Sequence, residues 1–166
     1  YAASKLLGEA AFVHGARAGN FTAVIGRFHN VYGPRMGADH VIPEMSLRAV
    51  RGEDPFRVWG FDQYRAFCYV DDAVEAMLRL MAAPPAAGQI VHIGNDSDET
   101  NIGDLAKLVL RVAGASPTIE TLPAPAGSVA RRCPDLTRLR ELTGYEPAVG
   151  LEEGVRRTFD WYRGTV

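Results

Sequence analysis

The sequence predicts an α/β fold, and two observations carry that prediction. Segments with apolar residues at helical spacing alternate along the chain with short β-branched and aromatic runs, and Gly, Pro, Asn and Asp punctuate the boundaries. At 166 residues and 47% hydrophobic, the chain can bury one sizeable core, so a single domain is the default.

The first element is a helix over 1–18, where Leu6, Ala10 and Val13, with Leu7, Ala11 and His14, repeat at helical spacing up to the stop at Gly19-Asn20. FTAVIGR (21–27) reads as a buried strand, and the Gly-, Pro- and polar-rich segment 28–40 as a loop. Pro43 suits the first turn of a helix that reaches Arg51. FRVW (56–59) and AFCYV (66–70) read as short strands on either side of a turn. A helix over 71–83 carries Ala73, Val74, Met77, Leu78 and Met81 on one stripe expected to face the core. Asp71-Asp72 at its start sit favourably at its positive end. QIVHIG (89–94) is a further buried strand. Thr100 or Asn101 caps the next helix, which ends at Gly114 and turns Leu105, Leu108, Val109 and Val112 inward. TIETLP (118–123) is a strand, LTRLRELTG (136–144) a short helix and LEEGVRRTFDWYR (151–163) a terminal amphipathic helix.

Composition narrows the function. A net charge of −2 argues against a general nucleic-acid binder. No run approaches the roughly 18 consecutive apolar residues of a membrane span, and no signal-peptide pattern opens the chain. Cys68 and Cys133 fit no metal or redox spacing and read as free thiols of a cytoplasmic protein. The histidines at 14, 29, 40 and 92 are scattered, so no metal site is expected.

Chemistry enters with the opening YAASK. Tyr1 and Lys5 lie one helical turn apart and share a face. A nearby ammonium favours the phenolate, which suits Tyr1 to act as a general base near neutral pH. Of the eighteen basic residues only two, Lys5 and Lys107, are lysines, so a lysine at this spacing is not surface filler. The chain has no Gly-x-Gly-x-x-Gly turn between a strand and a helix, the element that brings a dinucleotide pyrophosphate against the backbone.

The order Tyr1-x-x-x-Lys5, GRFHNVYGPR (26–35), VIPE (41–44), FRVWG (56–60), YRAFCYVDDAVEAMLRLM (64–81), VHIGND (91–96), RRCPD (131–135), GYEP (144–147) and LEEGVRRTFDWYR (151–163) resembles the carboxyl-terminal half of an extended short-chain dehydrogenase/reductase. More narrowly, it is similar to the NAD-dependent nucleotide-sugar epimerase/dehydratase family. The resemblance implies the last strands of a Rossmann-type parallel sheet plus a small substrate-binding α/β subdomain. On that reading 1–35 closes the NAD-binding domain, and 36–166 is mainly the nucleotide-sugar-binding subdomain, with 66–95 returning to the sheet. It also places the glycine loop on an amino-terminal half upstream of Tyr1.

The resemblance further implies roles residue by residue. Tyr1 and Lys5 are the catalytic pair, and with Phe28, Asn30 and Val31 they meet the nicotinamide end of NAD. Asn30 also contacts the nucleotide sugar, and Val41 and Ile42 line the base pocket through backbone groups. Trp59 stacks on the base, and Arg65 and Arg132 clamp the diphosphate, with Arg131 as the alternative to Arg132. Arg35 stands at the sugar's far end, and Arg27 is read as a structural ion-pair partner. A homodimer formed through the first helix is expected.

The implied chemistry is oxidation at the sugar C4 with NAD, with Tyr1 taking the hydroxyl proton, to a 4-keto intermediate. Return of the hydride to the other face makes a 4-epimerase, the expected outcome. Elimination across C5–C6 makes a 4,6-dehydratase, and loss of a C6 carboxylate a decarboxylase. GRFHNVYGP and PAPAGSVARRCPD also resemble the GDP-mannose 3,5-epimerases, but Val41 stands near their acid/base lysine and cannot move a proton. The rival from another class is a nucleotide-sugar-binding fragment without turnover.

Overall fold

The computed structural model describes residues 1–19 and 21–165. Six α-helices are present among them: α1 (Ala2–Arg17), α2 (Val41–Val50), α3 (Val70–Ala82), α4 (Ile102–Ala113), α5 (Thr137–Thr143) and α6 (Leu151–Arg163). The strands are β1 (Ile25–Phe28), β2 (Val31–Tyr32), β3 (Phe56–Trp59), β4 (Tyr64–Ala66), β5 (Cys68–Tyr69), β6 (Ile90–Ile93), β7 (Glu99–Asn101), β8 (Ile119–Leu122) and β9 (Arg131–Arg132). Parallel pairs β1–β6, β2–β5, β3–β8 and β4–β9, with one antiparallel pair, β4–β7, make the protein α/β with largely parallel sheet.

The apolar residues form two cores. In one, α2, α4 and α6 pack on one another and against β3, burying Ile42, Met45, Phe56, Val58, Leu105, Val109, Val155 and Phe159. Local signals build its helices. The Asn101 side chain accepts the Asp104 N–H at 2.8 Å and starts α4, and Gly114 ends it at φ 67°, a left-handed turn that glycine adopts without strain. Gly154 lets α6 settle onto β2, since any side chain there would collide with the Tyr32 hydroxyl. In the other core, α3 and α5 cover β6, burying Cys68, Ala76, Leu80, Val91, Ile93, Leu139 and Tyr145. Asp72 ties the two together. It is buried, and its carboxylate accepts the backbone N–H groups of Ala148 and Val149, each at 3.0 Å, on the approach to α6. Its role is therefore wider than favourable placement at the start of α3.

Several expectations need correction. The strand expected over 21–27 begins only at Ile25, runs through Phe28 and is no more than half-buried. The reason is pairing: among the described residues β1 has one neighbour, β6, and its other edge is open. AFCYV divides between β4, β5 and the first residue of α3. The stripe on α3 faces outward: Val74, Leu78 and Met81 are 45%, 54% and 69% exposed, while Ala73, Ala76 and Leu80 turn inward. The inner face packs in the core with β6 and α5 through Ala76 and Leu80. Helix α1 forms as expected but buries none of its residues. The stop expected at Gly19-Asn20 falls partly on position 20, outside the described residues. No helix among the described residues is long and apolar enough to cross a membrane, and both cysteines are free.

Candidate functional site

Tyr1 opens α1, and the Lys5 backbone N–H donates to the Tyr1 carbonyl at 3.2 Å, which puts the two side chains on one face. The Lys5 ammonium lies 5.3 Å from the centroid of the Tyr1 ring, which is 96% exposed. One turn further on, Glu9 holds α1 to the sheet through a two-point ion pair with Arg27, at 2.9 and 2.7 Å. Arg27 is thus a structural partner, as its place at a strand end suggested. The Gly15 backbone lies against the Phe21 ring, so α1 and β1 run in opposite directions. Tyr1 lies about 12 Å beyond Glu9 along the helix, and Asn30 about 10 Å beyond Arg27 along an extended chain. Both reach the carboxyl end of the parallel pair β1–β6, where open α/β sheets bind their ligands.

At that end the chain turns sharply. Asn30 takes φ 41° and Arg35 φ 63°, conformations side chains seldom adopt. The Asn30 amide donates to the Ala66 carbonyl at 2.8 Å, and its own carbonyl accepts the Cys68 N–H, which stitches the end of β1 to β4 and β5. Asn30, Val31, Val41 and Ile42 line one small cavity of about 60 Å³ together with Tyr32, Met36, His40 and Phe67. Ile42 is buried, so its side chain belongs to the core, while Phe28 is half exposed.

The arginines meet next door. Arg65 on β4 and Arg132 on β9 are direct register partners of a parallel pair. Arg131 points its guanidinium at Glu99, 2.7 Å away, whereas Arg132 makes no ion pair among the described residues. That difference favours Arg132 over Arg131 as the free cation. Burial and the charge of Arg132 pull the Arg65 pKa below its ordinary value, as expected of two like charges side by side. His29 follows the end of β1 and pairs with His92. Its Nε2 is 2.6 Å from His92 Nδ1, and burial, then the charges of His92, Arg132 and Arg27, push its pKa down. Trp59 stands apart, on the exposed face of β3, with the Arg48 guanidinium 5.4 Å from its ring centroid. The turn 60–63 leads from it to β4. Arg35 is exposed.

Sequence reasoning passed over four residues around this cluster: His29, His92, Gln63 and Ser128. Gln63 accepts from both Arg65 and Ser128. The two histidines are 63 positions apart and are brought together only by strand pairing. The one local signal was Gly60, at φ 65°, where an added Cβ would lie 2.9 Å from Gln63 Oε1.

Residues 1–94 match the family model for the NAD dependent epimerase/dehydratase family. The chain is 34% identical over 146 residues to UDP-N-acetyl-alpha-D-glucosaminuronate decarboxylase of Bacillus cytotoxicus, covering 82% of this chain and 45% of that protein. It is 30% identical over 168 residues to GDP-mannose 3,5-epimerase 1 of Oryza sativa subsp. indica, covering 98% of this chain and 43% of the relative. Among solved structures, UDP-glucose 4-epimerase of Thermotoga maritima superimposes with a TM-score of 0.90 at 30% identity, over 99% of this chain and 53% of the other. The chain thus spans less than half the length of these curated relatives. With largely parallel strands and a family model that accounts for more than half its residues, the chain belongs to the NAD dependent epimerase/dehydratase family.

Proposed function

We propose that the chain carries the proton-transfer pair and the nucleoside-diphosphate-sugar site of an NAD-dependent nucleotide-sugar epimerase with 4-epimerase-like chemistry. The observation that carries this reading is the meeting of Arg65 and Arg132, neither paired with a carboxylate among the described residues, beside the strand end that bears Asn30. Two adjacent guanidinium groups in a chain of net charge −2 are arranged for an anion, and a diphosphate matches their forked donors.

The residues present suit one end of NAD. On this reading Tyr1, Lys5, Phe28, Asn30 and Val31 serve the nicotinamide end, whereas a pyrophosphate needs a glycine-rich turn that this sequence lacks. When bound, NAD supplies the hydride acceptor. The chain's own residues do the rest. Tyr1 accepts the proton of the sugar C4 hydroxyl, with the Lys5 ammonium one helical turn away on the same face. Arg65 and Arg132 hold the diphosphate, and backbone groups at Val41 and Ile42 border the base. The segment 1–35, with 66–95, forms the edge of the cofactor-binding sheet, and the remainder binds the sugar nucleotide.

A second reading, loss of a C6 carboxylate from a uronate, is favoured by Arg35, an exposed cation at the turn after β2, and by the 34% identity to a uronate decarboxylase. Product analysis of the complete enzyme on UDP-glucose and UDP-glucuronate separates the two: a C4 epimer is expected, and carbon dioxide release would establish decarboxylation instead. Tyr1→Phe keeps the ring and removes the base, so turnover should fall by roughly 10²–10⁴ with substrate affinity retained. Near-normal turnover would remove Tyr1 from the chemistry.

A further inference from the structure

Arg65 is held by neutral groups alone. Its Nη1 donates to the Tyr64 carbonyl at 2.7 Å, and its Nη2 donates to Gln63 Oε1 at 2.9 Å and to the Val129 carbonyl at 2.8 Å. Ser128 Oγ donates to the same Gln63 Oε1 at 2.7 Å, which closes a ring of four groups between β4 and the loop before β9. Other well-anchored arginines of this chain are fixed differently. Arg27 is paired with Glu9, Arg48 with Glu44 and Glu53, and Arg140 with Asp96 and Glu146. A carboxylate fixes a guanidinium and cancels its charge. An amide or carbonyl oxygen fixes it and leaves the charge available.

We propose that Gln63 and Ser128 are positioning residues that aim Arg65 at an anionic ligand while leaving its charge uncancelled, and that they clasp the loop 123–130 to the site. This inference rests on the diphosphate reading of Arg65 and Arg132 given above. The local backbone is shaped for the arrangement. Gly60, at φ 65°, has no side chain in the space the Gln63 amide occupies. Gly127, at φ 78°, and the Ser128 N–H bond to the Pro125 carbonyl at 3.0 Å turn the loop so that the Ser128 hydroxyl faces β4. An arriving diphosphate can take N–H donors from the Tyr64 and Val129 carbonyls while the Gln63 bond keeps the guanidinium plane in place.

The test is calorimetric titration of the 166-residue chain with UDP, GDP and dTDP and with the matching neutral nucleosides, alongside thermal melting. Gln63→Ala and Ser128→Ala should each weaken diphosphate binding by about tenfold, as loss of support for a charged hydrogen bond predicts, and leave nucleoside binding unchanged. Gln63→Glu separates aiming from mere tethering. It should melt at or above the wild-type temperature, because it pairs with Arg65, yet bind diphosphate more weakly than Gln63→Ala. Wild-type affinity in Gln63→Glu, or in both Gln63→Ala and Ser128→Ala, with affinity lost in Arg65→Ala, would overturn the positioning role and leave the diphosphate site standing. Should Arg65→Ala and Arg132→Ala both bind as wild type, or the wild-type chain bind none of the diphosphates, the site and this inference fall together.

Discussion

Arg131 and Arg132 are neighbours in sequence with opposite situations. Strand geometry turns successive side chains to opposite sides, so one meets Glu99 and the other stands beside Arg65. Arg132→Ala should therefore cost roughly 1.5–3 kcal/mol of diphosphate binding, the range for hydrogen bonds to charged groups. Arg131→Ala should leave that affinity nearly unchanged, and titration of the two variants in parallel checks the contrast. His29 sets a pH dependence. Its pKa in the folded protein is lowered, so the unfolded chain binds more protons between the folded value and about 6.5. Stability from this group is complete above about pH 6.5 and is lost as pH falls below it. Melting temperature should decline between pH 7 and pH 5, before most carboxylates titrate, and His29→Gln should flatten that decline. An unchanged slope in the variant would place the acid sensitivity elsewhere.

Helices α3 and α4 show what a periodic pattern does and does not encode. In α4 the apolar side is also the buried side, and Leu105→Ala should cost about 2–5 kcal/mol of stability by denaturant unfolding. In α3 Val74, Met77, Leu78 and Met81 face out, and Met77→Ala should cost well under about 1 kcal/mol. The sequence disclosed α2, α4, α6 and β3 because caps, glycine stops and local periodicity mark them. It did not disclose β2, β7 and β9, strands of two or three residues that exist only because distant partners pair with them. The direction of α3 was hidden because both of its sides are apolar, Ala73, Ala76 and Leu80 on one and Val74, Leu78 and Met81 on the other. The site divides the same way. The Tyr1 and Lys5 spacing is local and readable, whereas the Arg65, Gln63 and Ser128 ring joins residues up to 65 positions apart. Helix α1 buries nothing within the described residues, and nothing crowds Gly8, although Gly15 is already used by Phe21 of the same chain. Pairing through α1 as a homodimer is the expected outcome, and a monomeric mass by light scattering would rule that out.

At the scale of the whole molecule, the two ends of the chain's packing differ: α2, α4 and α6 enclose the larger buried core, whereas β1 pairs with β6 alone among the described residues. Arg65 and Arg132 lie on the three-stranded sheet β7-β4-β9, while Phe28 ends a two-stranded one. Calorimetry of the 166-residue chain with NAD should accordingly show no binding below high micromolar concentrations. A tight stoichiometric isotherm would show that the nicotinamide end suffices. The one-sided pairing of β1 also leaves a dynamic signature. The Ile25 and His29 N–H groups point to β6, bonding the Gln89 and Ile93 carbonyls at 2.9 Å, so by strand alternation those of Gly26 and Phe28 point away from it. Amide hydrogen exchange along this strand should therefore alternate, slow at Ile25, Arg27 and His29 and fast at Gly26 and Phe28. Any polypeptide that adds itself to the vacant edge would convert the alternation into uniform protection, so two amides can report whether the strand has found a second neighbour.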